Sequence, residues 1–425
     1  MLIEFSVENF KSIKEEVRLS LVASSGKEHR ETHVTIPELN QGVRSTPLVR
    51  SAAIYGANAA GKTNLLRALQ AMQHVVSRSG RDMDELPITP FRFDPKSGSR
   101  PTTFEVLGIV DRMRFQYGFS ATPSIVTGEW LYAWPRGRIQ FWFERTTDVE
   151  TGAVKCNFGD KLAGDREVWR RATRPNALLL STAVTLNSAQ LRPVFDWFHD
   201  KLHVTGVGGW ANVFSIEWCG GNRKAEVIRF LQAADLAIEN LRIVHEEFSP
   251  EMLPDDMPPE LRHQIKEEFS GTKMVQVRLS HHANHGQLVE LDLDEESDGT
   301  QKIFALSAPW LHTLDNGHII VFDELHDNLH PTLVRFLVNR FHDPQVNTKG
   351  AQLVFTTHDT SILSQDVFRR DQIWFCERNA RQETTVFPLT EFRPRRGVEN
   401  LERSYLAGRY GALPYLRSSG LHTDD

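Results

Sequence analysis

The chain has 425 residues, 40% of them hydrophobic, enough for one large core or two to three smaller ones. Its 49 Lys and Arg against 55 Asp and Glu give a formal charge of −6, which excludes a protein that coats nucleic acid by bulk electrostatics and leaves room only for a local basic groove. Cys156, Cys219 and Cys376 lie far apart with no C-x-x-C pair, which excludes a zinc ribbon and fits a reduced, cytoplasmic protein with structural cysteines.

The first residues alternate apolar Ile3, Phe5 and Val7 with polar Glu4, Ser6 and Glu8, a strand pattern and not a signal peptide. Val17, Leu19 and Leu21 continue the alternation, so a second strand is expected to pair with the first through a link around Ser12. A polar loop from Ser24 to Thr46 follows. "SAAIY" (Ser51 to Tyr55) is then a short apolar strand entering "GANAAGKTN", after which Leu65, Leu66, Leu69, Met72 and Val76 have helical spacing. From Pro101 to Arg145 short strand-like runs read as an antiparallel β subdomain. Residues from about Glu167 to Glu268 are mostly helical in composition, broken by the Pro-rich "SPEMLPDDMPPE" and without sustained heptads, so no long coiled-coil arm is expected. Strand patterning returns at "MVQVRLS" and "QLVELDL", with a turn at Asn284 to Gly286. A helix, a buried strand, a helix and another buried strand close the α/β pattern. No apolar run approaches the ~20 residues of a membrane helix. The expected segments are 1–80, the first lobe; 81–165, the β subdomain; 166–272, a helical insertion; 273–390, the second lobe; and 391–425, a tail.

The stretch Gly56 to Thr63 matches G-x-x-x-x-G-K-[ST] between a strand and a helix, the context in which successive backbone N–H groups converge on an anion. Gly56, Asn58, Gly61, Lys62, Thr63 and Asn64 are therefore candidate nucleotide-binding residues. Lys62 would neutralise the β/γ-phosphates and Thr63 would ligate Mg²⁺. "HIIVFDE" delivers Asp323 and Glu324 from a buried strand to the sheet edge, Asp323 to hold Mg²⁺ and Glu324 to polarise the attacking water. The turn "ESDGTQ" (Glu296 to Gln301) offers Ser297, Gly299 and Thr300 to a phosphate. One nucleotide does not need two such loops, so this turn is expected to close on a nucleotide held by a second copy. The competing reading is a helix N-cap at Ser297 or Asp298. "QLVFTTHD" delivers His358, placed to sense the γ-phosphate.

This order of motifs resembles the Walker A, signature, Walker B, D-loop and switch histidine of ABC-type ATPases in the SMC and OLD group. More narrowly, "VENFKSIKEE", "FQYGF", "EWLY", "FER", "ESDGTQ", "DELHDNLHP", "TTHD" and "YLAGRYGALP" resemble the compact prokaryotic OLD-like ATPases found in anti-phage defence loci. The resemblance implies an α/β ABC-type head, with a β subdomain and helical insertion, that hydrolyses Mg-ATP and dimerises head to head. It also implies control of a separately encoded effector, a nuclease or other toxin. Two departures stand beside it: no glutamine-loop residue is identified, and 67 residues follow His358, too few for the nuclease domain of OLD proteins.

A transporter ATPase would carry a Leu-Ser-Gly-Gly-Gln signature and a GTPase an Asn-Lys-x-Asp element, and neither occurs. An SMC-like DNA-binding ATPase is the alternative reading. "HHANH" (His281 to His285) reads as a hairpin turn, and Arg166, Arg170, Arg171 and Arg174 read as a solvated charged face. The helical insertion and the tail around "RSYLAGRYGALPYL" are the expected docking surfaces.

Overall fold

The computed structural model describes residues 1–205, 210–247, 257–269, 273–395 and 397–414. It divides into two compact units, residues 1–209, 313–327 and 334–425, and residues 210–312 and 328–333.

The larger unit is built on two sheets. A seven-stranded antiparallel sheet runs in the order Val154–Phe158, Arg138–Thr147, Val126–Arg136, Met113–Ala121, Thr102–Val110, Leu2–Glu8, Val17–Ser20. A six-stranded sheet runs in the order Leu202–Val204, Ile319–Phe322, Gln352–Thr356, Ser51–Tyr55, Ile373–Arg378, Thr384–Pro388, parallel throughout except for the last pair. The fold class is therefore α/β with an antiparallel β subdomain. Every residue of Ser51–Tyr55, Ile319–Phe322 and Gln352–Thr356 is buried, the pattern of parallel strands covered on both faces.

The β subdomain encloses a buried polar network. Glu129 falls on the inward row of its strand with Leu131 and Ala133, because side chains alternate along a strand. Its carboxylate accepts from the Tyr117 hydroxyl at 3.0 Å, from the Leu179 amide at 2.6 Å and from the Leu180 amide at 2.9 Å. Arg145 lies 3.9 Å away and donates to the Ala177 carbonyl at 2.6 Å. Burial pushes the Glu129 carboxyl up, opposed by Arg145 and these hydrogen bonds. The quoted runs "FQYGF", "EWLY" and "FER" thus meet through one residue each.

The helical composition of 166–272 is interrupted by two strands. Leu202–Val204 pairs with Ile319–Phe322 as an edge of the six-stranded sheet, and Asn240–Glu247 pairs antiparallel with Lys273–His282. Leu178, Leu179, Leu180, Trp197 and Phe198, between them fully buried in the larger unit's core, tie the first part of this segment to the head. The Pro-rich break lies largely outside the described residues. Arg170 and Arg171 of the helix Arg166–Ala172 pair with Glu167, holding its carboxyl down to about 2, and Arg174, beyond the helix, donates to the distant Ser79 carbonyl at 3.0 Å. The smaller unit holds the three-stranded sheet Asn240–Glu247, Lys273–His282, Leu288–Asp292 with helices Val213–Trp218, Lys224–Ala233 and Pro259–Phe269.

Beneath the first residue of Ser51–Tyr55, the His33 and His342 rings stack at 3.7 Å, and His342 Nε2 accepts from Ser51 Oγ at 2.8 Å. Burial holds His33 down to about 4 and His342 well below its ordinary value, with Arg50 facing both rings, Arg369 facing His33 and His29 facing both. Both refuse a proton that the unfolded chain takes near pH 6.5, so their contribution is complete above that pH and is lost as pH falls towards about 4. For His33 the full loss is roughly 3 kcal/mol. The melting midpoint should therefore fall steeply between pH 6.5 and 4.5, and a His33→Gln, His342→Gln double variant should fall less steeply. Equal slopes for the two proteins would refute this origin.

Candidate nucleotide site

The strand Ser51–Tyr55 runs into residues 56–61, and the helix Lys62–Arg78 begins directly after them. Two glycines are required by close approach: a Cβ on Gly56 would run into the Cys376 carbonyl of the neighbouring strand, and one on Gly61, at φ 108°, into the Thr384 hydroxyl. Asn58 and Ala59 are exposed at the loop tip. Lys62 is only 5% exposed, and its ammonium donates to the Gly56 carbonyl at 2.8 Å and the Ala57 carbonyl at 3.3 Å, with Glu324 Oε1 at 3.6 Å. A polyanion entering the loop competes with these three acceptors for that ammonium.

Thr63 is half-buried at the second position of the helix, and Asn64 donates to Ser12 Oγ at 2.7 Å. A cleft of ≈ 410 Å³ opens over the loop, bordered also by Ser12, Arg67, Glu324 and Arg378. Ser12, Arg67 and Arg378 were not apparent as site residues; Ser12 arrives from the first hairpin and Arg378 from the end of Ile373–Arg378, so only the folded sheet brings them in. Lys11, beside Ser12, has its pKa lowered by burial and by the nearby Arg67 and Arg92, which marks this wall as cationic. Burial pushes the Cys376 thiol up to about 12, consistent with a structural cysteine.

Ile319–Phe322 delivers the acidic pair to the same edge. Asp323 is 2% exposed; its Oδ1 accepts from Thr356 Oγ1 at 2.6 Å, while Oδ2 is buried with no hydrogen-bond partner. Glu324 adopts φ 53°, and its amide donates to the same Thr356 hydroxyl at 2.8 Å. Thr356 thereby sets the positions of both acids through a single oxygen. His358 Nδ1 lies 3.2 Å from Glu324 Oε2 and His326 Nδ1 lies 3.5 Å from it, and the two rings meet Nε2 to Nε2 at 2.9 Å. Thr356 and His326 fall within "TTHD" and "DELHDNLHP", and their part depends on the register between Ile319–Phe322 and Gln352–Thr356, which the sequence does not show.

Lys62, Thr63, Asp323, Glu324 and His358 thus gather at one end of the larger unit's parallel sheet. Ser297, Gly299 and Thr300 belong to the smaller unit. Ser297 is exposed, and its Oγ accepts from the Thr300 amide at 3.1 Å and meets Thr300 Oγ1 at 2.9 Å, so it caps the helix Asp298–Asn316. In the same unit His281 turns to Glu296 at 2.6 Å and His282 to Glu239 at 3.2 Å. The side chain of His285 lies outside the described residues.

The aromatic residues of the described tail pack inward. Tyr405 and Tyr410 stack on Phe375 at 5.4 and 5.6 Å, and Ala412, at φ 58°, presents its carbonyl to the Ala57 amide of the phosphate loop at 3.0 Å. The tail's outward face carries Val398, 79% exposed, and Leu406, 57% exposed. Residues 415–425 lie outside the described ones.

A central parallel strand, a glycine loop closed by a helix, and an acidic pair on the adjacent edge define the larger unit as a P-loop nucleotide-binding α/β domain. Residues 51–364 match the family described as "AAA domain, putative AbiEii toxin, Type IV TA system", and the chain belongs to that family. Among solved structures, "Crystal structure of the SmcHead bound to the C-winged helix domain of ScpA" matches with 11% identity and a TM-score of 0.37, covering 91% of this chain and 97% of that one. No curated protein matches. No helix among the described residues is long and apolar enough to cross a membrane.

Proposed function

We propose that the protein is a Mg-ATP-dependent switch that hydrolyses ATP slowly in isolation and changes its association with itself and with a partner protein as it does so. The observation that carries this reading is the meeting of Lys62 with Glu324 at 3.6 Å, beside a buried Asp323 oxygen that lacks a partner.

Residues 56–64 would cradle the triphosphate with backbone amides, and Lys62 would exchange its carbonyl acceptors for phosphate oxygens. The orphaned Asp323 Oδ2 fits a Mg²⁺ ion, which Asp323 and Thr63 would hold and whose charge would offset that of the phosphates. Glu324 would accept a hydrogen bond from the attacking water and draw off its proton, and His358 would orient against the γ-phosphate. Ser297, Gly299 and Thr300 of a second copy would close over the nucleotide, giving a head-to-head dimer. Closure stores nothing by itself: it favours a partner only by that partner's differential affinity for the closed form.

Glu324→Gln keeps the shape of the side chain and removes the base. The variant should bind Mg-ATP, hydrolyse it poorly and accumulate the closed dimer, read by cross-linking across Ser297. A variant whose cross-linking ignores ATP would sink the shared site.

The partner is proposed to be a separately encoded effector, a nuclease or other toxin in anti-phage defence. The family description, naming a toxin of a Type IV TA system, supports a two-component setting. It also favours a second reading, in which this chain is itself the growth-inhibiting component. Growth of cells expressing this chain alone separates the two: arrest without the neighbouring gene excludes the first.

A further inference from the structure

Glu324, His326 and His358 form a cluster whose geometry is not accounted for by binding of phosphate. One ligand atom from each lies within 4.8 Å of the other two. Glu324 Oε2 is buried and takes no hydrogen bond, although Nδ1 of His358 and Nδ1 of His326 stand 3.2 and 3.5 Å from it. A tetrahedral ion with bonds of about 2.1 Å separates its ligands by roughly 3.4 Å, the spacing that these two contacts bracket. The backbone that carries this side chain is held in place, since Glu324 sits at φ 53° with its amide on Thr356 and its carbonyl accepting from the Asp327 amide at 3.1 Å. The His358 side chain is 57% exposed and that of His326 12%, and both already stand beside the carboxylate, their rings meeting Nε2 to Nε2 at 2.9 Å.

The donor set decides the ion. Mg²⁺ takes oxygen ligands in octahedral geometry, which suits Thr63 and Asp323, whereas two imidazoles and one carboxylate suit a borderline ion such as Zn²⁺, with water in the fourth position. We propose that Glu324, His326 and His358 bind a single Zn²⁺ ion, and that its binding inhibits ATP turnover by withdrawing the Glu324 carboxylate and His358 from the nucleotide. The inhibitory half rests on the function proposed above; the binding half does not.

The test uses the full chain without nucleotide and Zn²⁺ alone, titrated against a chromophoric chelator, with Co²⁺ as a second probe whose visible bands report tetrahedral ligation. Wild type should bind one ion at this site with tetrahedral Co²⁺ bands, and His326→Ala should bind it at least tenfold more weakly and lose the bands. His326→Gln, which retains polar bulk, repeats the comparison in case the alanine variant folds poorly. Equal affinity and bands in wild type and both variants would overturn the site. Added Zn²⁺ should then slow Mg-ATP hydrolysis by wild type at concentrations that leave His326→Ala at its own zinc-free rate, and equal inhibition of the two would overturn the inhibitory role. If neither protein hydrolyses ATP while the binding difference stands, the ATPase reading fails and the metal site survives.

Discussion

Replacing Lys62 by alanine should lower Mg-ATP turnover by about two to three orders of magnitude, the loss that follows removal of a preorganised charge facing developing anionic oxygens. The ammonium is 5% exposed and already held by Gly56 and Ala57, so it reaches the phosphate site with little freedom to lose. Nothing of comparable burial replaces it there: Arg378, exposed at the cleft wall, and Arg67 approach from water. Arginine should not substitute, because a planar fork cannot enter a loop closed around a point charge. Two readouts separate binding from chemistry. Phosphate release reports turnover, and the rise in melting midpoint with Mg-ATP reports binding, since a ligand that binds only the folded state stabilises it by RT ln(1 + L/Kd), with L the free ligand concentration. Lys62→Ala that hydrolyses ATP as fast as wild type would overturn the catalytic assignment.

Glu129→Ala should destabilise the larger unit by roughly 3–5 kcal/mol, the cost of leaving a buried charge and its donors without their partner. The residue is fully buried, and its loss strands the Tyr117 hydroxyl, two amides at the start of Leu179–Thr185 and the Arg145 guanidinium. Arg145 retains its bonds to the Ala177 and Arg174 carbonyls, so the arginine itself stays in place with its charge uncompensated. Chemical denaturation followed by tryptophan fluorescence measures the effect. A midpoint displaced by less than the equivalent of about 1 kcal/mol would mean that water replaces the carboxylate at no great cost.

The contrast between these two residues shows what the sequence made legible. Lys62 announces itself because strand, loop and helix are contiguous, and the carbonyls of Gly56 and Ala57 that hold its ammonium lie within a few residues of it; its meeting with Glu324 needed the fold. Asp323 and Glu324 were legible for the same reason, at the end of an apolar run. Glu129 shares its row with Leu131 and Ala133, so period alone points it inward, but a carboxylate there reads as a surface residue until Tyr117, Leu179 and Leu180 are seen to receive it. Thr356 and His326 required sheet register. The strands Leu202–Val204 and Asn240–Glu247 were hidden because each is short or polar within a helix-rich stretch, and each is a strand by virtue of a partner far along the chain.

The position of Ser51–Tyr55 between Gln352–Thr356 and Ile373–Arg378 also dictates when the phosphate loop can exist during synthesis. Its neighbours emerge about 300 residues later, and at about 5–20 residues per second the ribosome takes roughly 15–60 s to reach them. Through that interval a strand that the fold buries completely waits with both edges open, a template for pairing with another nascent chain. Newly made copies on one messenger are thus at their most adhesive before any nucleotide can bind them, and the loop becomes a site only when the last third of the chain has arrived.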